Sequence, residues 1–127
     1  MADAGSPEPR RRRRLSRSGD FDRVYREGSS RGNRFFVVHG FDAGGDGDPR
    51  LGISVGRRIG KAVQRNKVKR AVREAFWELA AGLPAGRDYV IVARPGAEAL
   101  LERDRGNGVR DSLAELLAAD GPDGGDS

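Results

Sequence analysis

Apolar side chains recur at helical spacing in three segments of the chain, with polar residues between them. The first predicted helix covers residues 18–28, where Ser18 suits an N-cap and Gly28 a C-terminal cap. Its apolar face comprises Phe21, Val24 and Tyr25. The second runs from Ala62 to Ala80, with an apolar stripe of Val68, Ala71, Val72, Ala75, Phe76 and Leu79. The third covers 109–119 and carries Leu113, Leu116 and Leu117.

Three other segments, 34–41, 51–55 and 88–94, are rich in β-branched and aromatic residues, which is typical of strands. The run 42–49 consists of Gly, Asp, Ala and Pro and has the composition of a turn. We therefore expect residues 34–55 to form an antiparallel hairpin with a long loop. The predicted order α, β, β, α, β, α indicates an α+β sandwich in which helices cover a small sheet.

The composition indicates one small domain between two polar tails. The chain has 127 residues, of which 36% are hydrophobic and 34% charged, so its core is small. Residues 1–14 combine Pro, Gly and an arginine run, and residues 120–127 are rich in Gly and Asp. We expect a disordered basic tail and a disordered acidic tail there, with the domain at 15–119.

Positive charge is concentrated in one segment. The formal net charge is +5 and the sequence pI about 10.4, yet residues 57–73 contain no acid and residues 111–127 contain no Lys or Arg. This distribution favours a polyanionic partner, which charge alone leaves open between RNA, DNA and anionic lipid. The chain has no cysteine, no run near the roughly 18 apolar residues that cross a bilayer and no secretory signal, so we expect a cytoplasmic protein.

The second predicted helix has a cationic face. Opposite its apolar stripe lie Asn66, Lys69, Arg70, Arg73 and Trp77, flanked by Arg65 and Lys67. Guanidinium groups form bidentate hydrogen bonds with phosphate oxygens, and lysines add charge. The alternative is a solvated helix face, but such a face interleaves carboxylates at i,i+4, and Glu74 and Glu78 come only after the basic row. The pattern therefore predicts nucleic-acid binding.

A close resemblance to the bacterial ribonuclease P protein subunit lies in residues 52–76, GISVGRRIGKAVQRNKVKRAVREAF. In that family a strand ending in a basic pair leads into a helix with an R-N-R-x-K-R-x-x-R core. Lys67 departs from the usual arginine but keeps the charge. Residues 14–28, RLSRSGDFDRVYREG, look like the family's first helix, and 88–96, DYVIVARPG, like its fourth strand.

The resemblance implies both a fold and a role. The fold would be an α-β-β-β-α-β-α sandwich with a left-handed crossover around the second helix, whereas the general rule for such connections is right-handed. Its extra strand would lie near Ser29–Asn33, where composition indicates a loop. The chain would be the protein subunit of ribonuclease P, one protein per RNA, assisting endonucleolytic removal of the 5′ leader of precursor tRNA. The catalytic centre and its magnesium would belong to the RNA subunit. The chain itself would bind no cofactor and no membrane.

The resemblance also assigns residues to two RNA-binding surfaces. The catalytic RNA would contact Arg57, Arg58, Lys61, Arg65, Asn66, Lys67, Lys69, Arg70 and Arg73. The leader would lie in a cleft lined by Phe21, Tyr25, Phe36 and His39, whose rings stack on bases of any sequence. For Phe21 and Tyr25 the alternative is the core face of the first helix. Strand alternation allows only one of the pairs Phe36/Val38 and Val37/His39 to face the cleft, and the resemblance favours His39.

Two other classes of function compete with this interpretation. A protein-only nuclease needs a carboxylate cluster or paired histidines to hold metal ions. Asp42, Asp46 and Asp48 are clustered, but turn formation explains them, and His39 is the single histidine. Another RNA-binding module, such as a ribosomal protein or an RNA chaperone, stays open. A pull-down distinguishes the two hypotheses: a ribonuclease P protein would recover one abundant RNA, whereas another RNA-binding module would recover ribosomal RNA or a broad mixture.

Overall fold

The computed structural model describes residues 18–44 and 47–118. These residues contain three α-helices and four strands. The elements are α1 (Ser18–Glu27), β1 (Ser29–Gly32), β2 (Phe36–Asp42), β3 (Arg50–Val55), α2 (Ala62–Leu79), β4 (Arg87–Ala93) and α3 (Gly96–Ala118). Short 3-10 turns at Arg57–Ile59 and Ala80–Gly82 flank α2. The predicted tails, 1–14 and 120–127, lie outside the described residues.

The sheet has the strand order β1-β2-β4-β3, in which β4 is antiparallel to β2 and parallel to β3. The predicted hairpin over 34–55 is therefore wrong, because β4 lies between its two strands. Tyr89, Val90 and Ile91 of β4 are all fully buried. Because successive side chains point to opposite faces of a sheet, three consecutive buried residues mean that both faces of β4 are covered, so β4 occupies an interior position. The connection from β3 to the parallel strand β4 runs through α2.

Alternation along the strands gives the sheet two different faces. Phe36, Val38 and Ile91 point into the main core, which α2 and α3 cover. The opposite face carries α1, where Val24 packs on Val90 with several half-buried neighbours, namely Phe21, Phe41 and Val92. The predicted helix stripe is confirmed by four α2 side chains in the main core, Val68, Val72, Ala75 and Phe76.

Two elements differ from the predictions made from composition alone. Residues Ser29–Gly32 form a strand, as the resemblance implies, because their backbone pairs with β2 although three of their four residues are exposed. The last helix begins at Gly96 and not at 109. Gly106 and Gly108 weaken the helical signal in that interval, but Ala97 and Leu100 are buried in the main core and hold the first turns of α3.

Gly28 joins α1 to β1, and close packing requires glycine there. A Cβ atom at this position would lie 2.2 Å from the carbonyl oxygen of Gly40 and 2.7 Å from that of Val24. Gly28 follows the last helical residue, as predicted, and its N–H donates to the carbonyl oxygen of Val24 at 3.0 Å, but it is not among the described glycines with positive φ. The glycine lets the backbone of α1 approach β2.

Replacing Gly28 with alanine is expected to lower the free energy of unfolding by roughly 1–3 kcal/mol, because both obstructing atoms belong to the backbone. Urea denaturation measures the change. Gly56→Ala is the matched control, since Gly56 has φ −82° and no atom within 4 Å of the added Cβ. Equal stability of the two variants would contradict this account of the α1–β2 contact.

Candidate nucleic-acid interface

A basic ridge follows α2 and the turn before it. We define it by the predicted set Arg57, Arg58, Lys61, Arg65, Asn66, Lys67, Lys69, Arg70 and Arg73. Arg65, Lys69 and Arg73 are half-buried, and the other members are exposed. Within the described part of the chain, none of these cations forms an ion pair with a carboxylate. The structure therefore brings the predicted residues together on one surface with their charge uncompensated there.

The local fold explains why the ridge faces outward. Ile59 is buried and anchors the 3-10 turn to the main core, which leaves Arg57 and Arg58 exposed. At Gly60 the backbone takes φ 144°, which favours glycine, before α2 begins. The first turn of α2 has no acidic residue and no side-chain cap. Cations near a helix N-terminus are repelled by its dipole, so this end of the ridge is strongly electropositive.

Two side chains of α2 add detail that periodicity did not predict. The Nε atom of Arg65 is buried without a hydrogen-bond partner, which leaves an unsatisfied donor within the ridge. Trp77, predicted on the polar face, is half-buried against the main core with its ring 5.0 Å from that of Phe76. Its ring therefore contributes to core packing, although the residue lies on the same helix face as the half-buried Lys69 and Arg73.

An open groove of about 500 Å³ lies between α2 and α3 beside the ridge. Lys67, Arg70 and Glu74 line it from α2, and Glu98 and Glu102 line it from α3. These carboxylates make the inner side of the ridge less favourable for an anion. The phosphate-compatible surface is thus the outer side of α2.

A second candidate surface lies where α1 meets the other face of the sheet. Tyr25 is 42% exposed, and its ring stands edge-on to two neighbours. The centroid distance is 4.7 Å to His39, with an interplanar angle of 78°, and 6.3 Å to Phe21. Val24 is 1% exposed and takes the core position of the helix. The three rings form what we name the aromatic cleft.

Burial favours the neutral form of both polar rings of the aromatic cleft. It lowers the pKa of His39 from its ordinary value of 6.5. It also raises the pKa of Tyr25 above 10.0; a side-chain hydrogen bond with Ser54 opposes this shift, and the charge of Asp22 adds to it. The aromatic cleft therefore offers uncharged ring faces and edges rather than a charged pocket.

The assignment of Phe36 to the cleft is wrong. Its side chain is fully buried in the main core, on the face opposite α1. The alternation of β2 gives the cleft face to His39, whose ring contacts Tyr25.

The cleft face of β3 holds residues that the sequence analysis missed. Arg50 donates to both carboxylate oxygens of Asp88, at 2.9 and 2.7 Å, and Asp88 is 4% exposed. Ser54, on the same face, lowers the pKa of Tyr25. The signal was present in the sequence: Arg50, Gly52 and Ser54 alternate with three core residues, Leu51, Ile53 and Val55.

The aspartates near the β2–β3 turn form no metal centre in the described residues. Asp42 accepts a hydrogen bond from the backbone N–H of Gly44 at 2.9 Å, which is turn chemistry, and Asp46 lies outside the description. Across 18–44 and 47–118, no group of three or more His, Cys, Asp and Glu side chains is placed to hold a metal ion. Over the same ranges no helix has the length and apolar character needed to span a membrane.

Comparisons with known proteins agree on one family. The family model described as Ribonuclease P matches residues 10–117. The chain is 44% identical over 90 residues to the ribonuclease P protein component of Brevibacillus brevis, covering 71% of each chain. It is 37% identical over 117 residues to that of Bacillus cereus, covering 91% of this chain and 94% of the relative.

Solved structures give the same result for the fold. The RNase P protein from Thermotoga maritima matches with a TM-score of 0.74 and 41% identity, over 82% of this chain and 94% of that one. The Staphylococcus aureus RNase P protein matches with a TM-score of 0.73 and 36% identity, over 83% and 92%. With the family model, these matches show that the chain belongs to the ribonuclease P protein family.

Proposed function

We propose that this chain is the RNA-binding protein subunit of a cytoplasmic ribonuclease P, with one protein bound per catalytic RNA. The basic ridge contacts the catalytic RNA, and the aromatic cleft holds the 5′ leader of precursor tRNA. The observation that carries the proposal is the presence of two different surfaces on opposite faces of one sheet. One is cationic, and the other carries neutral aromatic rings.

The basic ridge has the chemistry of a phosphate-binding surface. Its uncompensated cations repel one another in the free protein, and phosphate groups would relieve this repulsion while their counterions are released. This charge distribution favours a polyanion over a neutral partner.

The aromatic cleft has the chemistry of a site for unpaired bases. An exposed, neutral ring on Tyr25 stacks on any base at about 1–3 kcal/mol per base. Stacking does not depend on base identity, which suits leaders of varied sequence. A folded tRNA acceptor stem offers few unstacked bases, so only the precursor engages this surface.

Replacing Phe21 and Tyr25 with alanine, singly, is expected to weaken binding of precursor tRNA roughly 5- to 100-fold, the loss of one stacked base. Binding of mature tRNA should change little, because it has no leader to stack. Fluorescence anisotropy with both tRNAs, using the reconstituted complex of protein and RNA subunit, measures the difference. Phe35→Ala serves as control, since that half-buried ring packs against the main core instead.

Equal weakening for the two tRNAs would contradict the leader assignment. An unfolded Phe21 variant would instead support the core interpretation of that side chain. Circular dichroism of each variant before the binding assay separates these results. The Tyr25 variant is the sharper of the two, because Tyr25 is exposed and Val24 supplies the buried contact of α1.

A further inference from the structure

The groove between α2 and α3 has cations on one side and carboxylates on the other. Lys67 and Arg70 line it from α2, and Glu98 and Glu102 line it from α3. None of these four side chains forms an ion pair within the described part of the chain. The groove is open, with a volume of about 500 Å³, so opposite charges face it from both helices without closing it.

The same two helices do pair their charges elsewhere. Arg110 of α3 lies 3.3 Å from Glu78 of α2. At the groove, Leu101 of α3 packs against the main core instead, so apolar contact and not charge pairing holds the helices together there. Glu98 is half-buried and Glu102 is exposed. Both carboxylates therefore act on whatever enters the groove.

Carboxylates beside a phosphate-binding surface bear on its specificity. A surface that only attracts phosphate binds any RNA, because the electrostatic part of RNA binding does not depend on sequence. Specificity is a difference between two affinities, and like charges beside a binding surface weaken the wrong partners. Unrelated RNA meets the basic ridge in many orientations, and those that bring phosphates over the groove approach Glu98 and Glu102. An RNA that follows the outer side of α2 avoids them.

We propose that Glu98 and Glu102 are specificity-determining residues, which keep RNA phosphates out of the groove between α2 and α3 and so limit the binding of unrelated RNA to the basic ridge. This inference rests on the proposed function, since it concerns how the ridge selects ribonuclease P RNA. The two carboxylates touch no RNA in the selected complex. They act by repulsion on the alternatives.

The test compares Glu98→Gln/Glu102→Gln with wild type for binding to ribonuclease P RNA and to duplex RNA of unrelated sequence. The stacked bases of a duplex cannot enter the aromatic cleft, so the duplex reports on charge. The variant is expected to bind the unrelated duplex about 3- to 10-fold more tightly, since two like charges about 4 Å apart change an affinity about 5-fold even in water. Its affinity for ribonuclease P RNA should change by less than about 2-fold. The gain should disappear near 1 M salt, where the screening length is about 3 Å.

Two further variants locate the effect. Asp111→Asn/Glu115→Gln is the matched control, because it removes the same formal charge from α3 at positions that do not line the groove. Adding Lys67→Ala to Glu98→Gln/Glu102→Gln should cancel much of the gain, since Lys67 supplies positive charge on the other side of the groove.

Folding is checked by circular dichroism and urea denaturation. Glutamine keeps the size of the side chain, but Glu98 stands in the first turn of α3, where a negative charge stabilises the helix. Glu102→Gln alone lies beyond that turn and should show part of the gain with unchanged stability.

Three results would overturn the inference. One is unchanged affinity of the folded variants for the unrelated duplex. Another is an equal gain for both RNAs, or for the control variant, which would make the effect one of net charge. The third is a gain that persists in full when Lys67→Ala is added. Wild-type protein that binds both RNAs alike would remove the proposed function as well, whereas a clear wild-type preference with no effect of the variants would remove this inference alone.

Discussion

Replacing Arg65 and Arg70 together with alanine is expected to weaken binding to ribonuclease P RNA by about 10- to 100-fold. Each guanidinium that loses a phosphate contact contributes roughly 0.7–1.4 kcal/mol, which is a factor of about 3 to 10 per residue. The fold should be retained, because the core of α2 is built from Val68, Val72 and Phe76 on the opposite side. Filter binding over a salt series gives both the affinity and its salt dependence.

The salt series distinguishes lost contacts from a damaged protein. Each phosphate contact removed should make the slope of log K against log salt shallower by roughly 0.7–0.9. The control is Arg103→Ala with Arg110→Ala, which removes the same formal charge from α3, where these side chains lie beside Asp104 and Glu78. Unchanged affinity in the folded Arg65/Arg70 variant, or an equal loss in the control, would contradict the ridge assignment.

Local periodicity predicted α1 and α2 well, but it placed the start of α3 thirteen residues too late and predicted the strand pairing wrongly. The stripe of α2 identified its buried residues because one helix face meets one core. Pairing of β2 with β3 was predicted from their closeness in sequence, but β4, fully buried at Tyr89, Val90 and Ile91, lies between them. Which strand takes the interior position depends on burial on both faces, which the unbroken apolar run of β4 indicates and closeness in sequence does not. β1 was missed for a related reason, since it is held by backbone pairing rather than by apolar side chains.

The two candidate surfaces differed in how far the sequence determined them. The basic ridge is a helix face, so residue spacing alone places its members side by side. The aromatic cleft joins α1 to strands distant in sequence, so its members were assigned with the help of the family resemblance. That resemblance favoured His39 over Phe36, and the structure gives the cleft face of β2 to His39. Ser54 was overlooked because a single serine in an apolar strand is common and does not by itself indicate a functional site. Its relation to Tyr25 exists only after α1 has packed on the sheet.

β3 connects the proposed surfaces. Ser54 faces the aromatic cleft, and the end of the strand leads through Gly56 into Arg57 and Arg58 of the ridge. Under the proposed function, β3 therefore links the two RNA-binding surfaces directly. Binding of the catalytic RNA would then present the cleft to a leader already nearby, which raises its effective concentration.

The purified protein without RNA is expected to produce no cleavage of precursor tRNA with any divalent metal ion. Hydrolysis of a phosphodiester in metal-dependent nucleases needs ligands that hold the ions and activate water. This chain has a single histidine and no cysteine, and its described residues contain no cluster of ligands for a metal ion. Magnesium is proposed to bind with the RNA subunit. The protein should then act mainly by offsetting repulsion between two RNAs and by holding the leader.

Adding the protein to ribonuclease P RNA should increase cleavage strongly at low magnesium and little at high magnesium, where the ions already screen the phosphates. Gel assays of 5′-end cleavage across a magnesium series, with and without protein, measure this. Cleavage at the tRNA 5′ end by RNA-free protein, abolished by His39→Gln, would place the catalytic centre in this chain and overturn the proposal.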